Sequence, residues 1–179
     1  MKMLCGRVNH TRRNRGFTLV EMMIGLVIVG IGLTIAVPSF QGMTARNQVA
    51  TQVNEFLVSV NLARGEASRR GRNVCIQSVG PVAGEFGEGW RVVEVNSGNC
   101  NGGVIRSFGA LSGESTLDIV GSATSLQFTA LGALDSSAPV SVDLCYPGQS
   151  GRRVYINLLG RSKSHRPDDA DLTRRPVCP

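Results

Sequence analysis

The chain has 179 residues, only 5% of them aromatic and 22 of them glycine. That length suits one domain with appendages, and the composition favours a turn-rich β domain over a large α/β enzyme core. The formal charge of +6 is concentrated at one end. Five of the 19 basic residues and none of the 13 acidic ones lie in the first sixteen, so the remainder carries only about +1 and the high pI makes no case for a nucleic-acid-binding domain.

Residues 1–16 are polar and basic, with Lys2, Arg7, Arg12, Arg13 and Arg15. They read as a targeting n-region held on the cytoplasmic side by the positive-inside rule. Residues 17–37, FTLVEMMIGLVIVGIGLTIAV, are apolar almost throughout. About 20 such residues span a bilayer as a helix, and Gly25, Gly30 and Gly32 give this one close-packing faces. A single carboxylate, Glu21, lies near its start. At a membrane helix centre such a charge costs roughly 2.5–3.5 kcal/mol, less near an interface. Two readings compete: a secretory signal cleaved after Ala36, or a retained anchor. The length of the run and the interruption at Glu21 favour the anchor. Pro38 follows, and is expected to kink a continuing helix.

Beyond Pro38 the pattern becomes amphipathic. Val49, Val53, Phe56, Val60, Ala63 and Ala67 recur at alternating steps of four and three. Arg69, Arg70 and Gly71 make a helix stop. One helix from Phe17 to about Arg70, roughly 80 Å long, is expected, half compatible with lipid and half packed on a small domain. After Gly71 the period switches to two. Short runs at 73–79, 90–95, 104–108, 116–120, 126–130, 140–146 and 153–159 predict seven strands with no helices between them. The expected fold class is α+β, a long N-terminal helix packed on a C-terminal antiparallel β domain of two sheets or one curved sheet. The tail from Gly160 to Pro179 is polar and predicted to carry no element.

Cys5 lies in the leader. Cys75, Cys100, Cys145 and Cys178 are widely spaced, with no C-x-x-C. Behind a membrane-targeting segment they read as disulfides of an oxidising compartment. Three pairings exist. Cys75–Cys100 with Cys145–Cys178 is favoured, each closing a loop worth about 3 kcal/mol in the chain-entropy model.

Arg15-Gly16-Phe17-Thr18-Leu19-Val20-Glu21-Met22-Met23, with the apolar run and Pro38, resembles the class III signal of type IV pilins and type II secretion pseudopilins. The body is similar to the GspH/FimT/FimU branch of minor pilins in three places: Ala63-Arg64-Gly65-Glu66-Ala67 (a serine is usual at Gly65), Ser125–Gly132 with its F-x-x-x-G, and Val154–Arg161 with its closing G-R turn. The Cys145 and Cys178 pair resembles the C-terminal disulfide of FimU-like members. The resemblance implies that a prepilin peptidase cuts between Gly16 and Phe17 and N-methylates Phe17. It implies that Glu21 serves assembly, through the α-amine of its own or an incoming subunit's Phe17. The plainer alternative is that Glu21 snorkels to the headgroups.

The implied organisation is a cleaved leader (1–16), a transmembrane half-helix (17–37), an amphipathic half-helix (38–71) and a periplasmic β domain with a basic tail (72–179). The implied partners are the peptidase, other major and minor pilins or pseudopilins, and inner-membrane lipid. The implied role is a minor pilin that primes or caps type IV pilus assembly. Pseudopilin H of a type II secretion system and a DNA-binding minor pilin of a transformation pilus are the alternatives. For the last, Arg161, Lys163 and Arg166 with Arg152 and Arg153 form a cationic cluster suited to phosphates. Gly160-Arg161-Ser162-Lys163 matches the DNA-binding G-R-x-R pattern with lysine for the second arginine, and Asp168, Asp169 and Asp171 offset the charge. A solvated, self-neutralising tail is preferred. His10 and His165 are isolated in sequence, no G-x-S-x-G, H-E-x-x-H or G-x-x-x-x-G-K-[ST] occurs, and no enzyme, cofactor or metal is expected. Trp90 is expected to anchor the core.

Overall fold

The computed structural model describes residues 16–166 together with Pro176 and Cys178. One helix, α1 (Leu19–Arg70), precedes eight strands: β1 (Val74–Ser78), β2 (Trp90–Glu94), β3 (Val104–Phe108), β4 (Thr116–Val120), β5 (Ser125–Phe128), β6 (Val140–Tyr146), β7 (Gln149–Ile156) and β8 (Ser162–His165). The chain divides at Phe40/Gln41 into two units, and α1 belongs to both.

In the first unit the helix is apolar all round. The large apolar side chains from Phe17 to Val37 are all exposed, because the described residues of this unit contain nothing else to bury them. By length and composition the segment can cross a membrane. The helix continues through Pro38, so the proline does not terminate it.

In the second unit α1 becomes the centre of a core. Ala45, Val49, Val53, Phe56, Val60, Ala63 and Ala67 form one buried stripe, the face that the 4–3 spacing predicts. Arg72 N–H bonds the Ala67 carbonyl (3.3 Å), a six-to-one closure of the helix end around Gly71. The strands form two four-stranded antiparallel sheets, ordered β3-β2-β1-β5 and β4-β6-β7-β8. Alternation sets their inner faces: Val74, Ile76, Trp90, Val92, Leu126 and Phe128 from the first, Leu117, Val142, Leu144, Val154 and Ile156 from the second, all buried in one cluster with the helix stripe from Val49 to Ala67. Trp90 is the hub, stacked on Phe108 at 5.3 Å and edge-on to Phe56 at 5.6 Å. Aromatic pairs in such geometries add about 0.5–1.5 kcal/mol beyond their burial.

Two expectations need correcting. The tail is not without structure from Gly160 onward, since Ser162–His165 forms β8. β7 begins at Gln149, four residues before the predicted start. Ser-Lys-Ser-His has no apolar alternation; it is a strand because its backbone pairs with β7, Ile156 opposite Ser162 and Tyr155 opposite Lys163. The structure joins Cys75 to Cys100, tying β1 to the β2–β3 loop, and Cys145 to Cys178, tying β6 to the C-terminal end of the chain.

Candidate functional site

At the N-terminus, Gly16 and Phe17 precede the helix and are exposed. Thr18 and Glu21 form a reciprocal cap. The Glu21 amide donates to the Thr18 hydroxyl (3.2 Å), and the Thr18 amide and hydroxyl donate to Glu21 Oε2 (2.9 and 3.1 Å). This is a capping box, readable from the T-x-x-E spacing and overlooked in the sequence reading. It turns the carboxylate back over the first turn, onto Thr18, and satisfies two amides that a helix start leaves without partners. Thr34 likewise returns its hydroxyl to the Ile31 carbonyl (2.7 Å), leaving no outward polar group of its own. Gly25, Gly30 and Gly32 have open space where a side chain would project.

The three body motifs meet in space. Arg64 of α1, Gly132 after β5 and Gly160 after β7 are far apart in sequence. Yet a Cβ on Gly132 would lie 3.1 Å from Arg64 Cγ and 2.7 Å from Ser68 Oγ, and one on Gly160 would lie 3.2 Å from Arg64 Cδ and collide with the Gly132 carbonyl. Both glycines have positive φ, 75° and 72°, which other residues rarely adopt. Each closes a tight turn, Gly132 N–H to Thr129 O (2.7 Å) and Gly160 N–H to Asn157 O (2.9 Å), and Leu134 N–H to Leu158 O (3.0 Å) joins the turns. The motif residues therefore lock helix, first sheet and second sheet together. A second tie lies nearby at the helix end, where Glu66 accepts from Arg69 and Arg70, and Arg70 reaches Glu94 of β2. Those hydrogen bonds hold the Glu66 carboxyl down to about 2.

The proposed phosphate-binding cations do not act as one cluster. Arg153 is only 7% exposed and makes a bidentate pair with Asp143, Nε to Oδ1 at 2.6 Å and Nη2 to Oδ2 at 2.7 Å. It is thereby withdrawn from any solvent-facing cationic surface, which corrects its inclusion. The pairing follows from register, Asp143 facing Arg153 across β6 and β7. Asp118 faces Asp143 from β4, and burial pushes its carboxyl up, with the Asp143 charge adding to the effect against a hydrogen bond from Thr116. Arg161, Lys163 and Arg166 are exposed and Arg152 is half-buried. Asp168, Asp169 and Asp171 lie outside the described residues, as do His10 and Cys5. His165 packs edge-on to Tyr155 at 6.4 Å. Among the described residues no group of His, Cys, Asp and Glu is placed to hold a metal ion.

Comparisons with known proteins agree with this anatomy. Residues 52–160 match the family described as Type II transport protein GspH, and residues 11–37 match the prokaryotic N-terminal methylation motif. A fimbrial protein of Moraxella nonliquefaciens is 30% identical over 93 residues, 49% of this chain and 60% of that protein. A fimbrial protein of Pseudomonas aeruginosa is 48% identical over 44 residues, 25% of this chain and 29% of that one. The chain thus spans less than two thirds of the curated relatives named here. In fold it is similar to the type IV minor pilin FimU of Pseudomonas aeruginosa, with a TM-score of 0.61 at 23% identity over 72% of this chain and 99% of that one. It is also similar to the minor pseudopilin EpsH of the Vibrio cholerae type 2 secretion system, with a TM-score of 0.50 at 15% identity over 68% and 99%. With a GspH match over more than half its length and a methylation motif at its N-terminal end, the chain belongs to the GspH family of type IV pilin-like proteins, the minor pilins and pseudopilins.

Proposed function

We propose that the protein is a minor pilin, a structural subunit and not an enzyme, which primes or caps type IV pilus assembly through its N-terminal helix. The observation that carries this reading is the first half of α1: an exposed, membrane-length apolar surface bearing one carboxylate, with that carboxylate hydrogen-bonded to Thr18, the residue after Phe17. A prepilin peptidase would cut between Gly16 and Phe17, removing residues 1–16, and would N-methylate Phe17. The new α-amine, with a reference pKa of about 7.7–8.0, is mostly protonated at neutral pH. It would arise one helical turn from Glu21. An unpaired carboxylate in lipid is costly, so Glu21 gains most when an amine, its own or an incoming subunit's, neutralises it. Such pairing sets the register between helices.

Residues 17–37 would hold the subunit in the inner membrane until assembly, with residues 38–71 continuing the helix and 72–179 forming a periplasmic domain closed by the Cys75–Cys100 and Cys145–Cys178 disulfides. Its partners would then be the peptidase, other pilins and membrane lipid. The fimbrial proteins among the sequence relatives support the pilus. The GspH match favours a second reading, pseudopilin H of a type II secretion system. The withdrawal of Arg153 weighs against DNA binding by the tail. Deletion of the gene separates the first two. Loss of surface pili and twitching with exoprotein secretion intact is expected; lost secretion with normal pili would overturn the pilus reading.

A further inference from the structure

We infer that a cleft over the outer face of the first sheet binds a neutral saccharide, held by side-chain amides and hydroxyls. The site lies wholly in the second unit and goes beyond the assembly role, which its failure would leave untouched. Alternation turns Val74, Ile76, Leu126 and Phe128 into the core, so Cys75, Gln77, Ser125 and Gln127 face outward. Register sets them side by side, Cys75 opposite Gln127 and Gln77 opposite Ser125. Gln77, Ser125 and Gln127 floor a cleft of about 370 Å³, within the roughly 300–1,000 Å³ of small-ligand sites. Its walls are fixed. The β2–β3 loop is stapled to the sheet by Cys75–Cys100. It turns tightly at Ser97 and Gly98, both at positive φ (50° and 79°), and Asn96 and Asn99 exchange amide-to-carbonyl bonds of 2.9 and 3.0 Å across that turn. Asn99 thereby reaches the cleft. In the β1–β2 loop the Ser78 hydroxyl donates to the Val82 carbonyl (3.2 Å). Gly84 packs so closely beside Thr124 that a Cβ would lie 3.1 Å from the Ala123 carbonyl. A cleft formed in advance costs little ordering entropy on binding.

The lining selects the ligand. Gln77 and Gln127 are half-buried, and among the described residues neither side-chain amide has a hydrogen-bond partner. Each amide offers two donors and a carbonyl acceptor, and Asn99, Thr124 and Ser125 add groups of both kinds. No lining side chain is ionisable. Charges of both signs stand at the border: Arg91 opposite Gln77, Glu88 beside Gly80, and Asp135, whose amide donates to the Gln127 carbonyl (2.8 Å). A phosphate-bearing chain finds no cation lining the cleft. An apolar ligand finds only Pro81, Ala83 and the disulfide, far less than the mostly apolar wall such ligands need. A peptide that binds by strand addition needs an open sheet edge, whereas β1 is paired on both sides. A saccharide hydroxyl donates and accepts at once, which matches the free amides, and the C–H face of a sugar ring can rest on Pro81 and Ala83.

The test is saturation-transfer NMR of the full-length chain in micelles of lauryl dimethylamine oxide, a detergent without sugar. The chain is titrated with chitotriose, maltotriose, trigalacturonate and a blocked trialanine peptide. Saturable binding of chitotriose or maltotriose at about 1 mM or tighter is expected, and about fivefold or more tighter than that of trigalacturonate or the peptide. Combining Gln77→Leu with Gln127→Leu keeps the bulk and removes the amides, and should weaken binding about fivefold or more. Val120→Ser, at an exposed position on β4 of the other sheet, should leave it unchanged. If the double change alters the fluorescence of Trp90, Thr124→Val on its exposed loop carries the test, with a loss of about twofold or more. The site is overturned if neither neutral sugar binds saturably, if the cleft variants bind as the natural chain does, or if the charged sugar or the peptide is preferred.

Discussion

Residues 19–37 and 45–67 belong to one helix, yet one half buries nothing and the other hides a complete stripe. Backbone geometry is the same in both. What differs is where the apolar residues fall. From Leu19 to Val37 they face every direction, so no single partner within the chain could cover them. From Ala45 to Ala67 they fall on one side, and two sheets cover that side. Secondary structure is thus separable from the medium that completes it: the second half is satisfied by its own chain, whereas the first needs lipid or other helices. Two carboxylates, one from each half, follow the same division. Glu21 is bonded locally to Thr18, while Glu66 is bonded through arginines to the domain.

Substitutions can break this division one half at a time. The largest effect is expected from Glu21→Val, which removes the only charge of the apolar half. Filament incorporation, measured by immunoblot of sheared filaments, should fall by two orders of magnitude, with membrane insertion kept. Unfolding of the second unit, followed by fluorescence of the single tryptophan, Trp90, should not move. Phe56→Ala is the reciprocal change. It opens the core beside Trp90 and should cost about 3–5 kcal/mol in denaturant unfolding, with membrane partition unaltered. Arg153→Met removes the bidentate partner of the buried Asp143 and should cost about 3 kcal/mol, largely recovered when Asp143→Leu is added.

The smallest expected effect is at Glu66. Its carboxyl is held at about 2 in the folded chain against an ordinary value of 4.5. A lowered folded pKa adds stability above the unfolded value and loses it as pH falls through the folded one. Glu66→Gln should therefore lower stability modestly above about pH 4.5, have no effect below about pH 2, and flatten the acid unfolding curve between the two, the effect being small because the pair is partly solvated.

Much of this division was legible in the sequence. The change from continuous apolar character to 4–3 spacing marks the two halves, and the switch to period two marks the strands. The capping box was legible too, because its spacing is local. β8 was not: Ser162, Lys163, Ser164 and His165 have no pattern of their own, and only the β7 edge makes them a strand. The Asp143–Arg153 pair depends on a register that no local pattern supplies. That register decides whether Arg153 faces solvent or its partner. The meeting of Arg64, Gly132 and Gly160 depends on closure of the whole domain. The motif segments were visible as separate matches, but their common purpose, locking two turns to one helix, appears only in three dimensions.

The central claim is that the apolar half is kept in the mature protein and ends in a new amine beside Glu21. Intact mass and N-terminal peptide spectrometry of the membrane-extracted protein tests this directly. The account predicts an N-terminus at N-methylated Phe17. A mature chain beginning at Val37, with the apolar half removed, would contradict it.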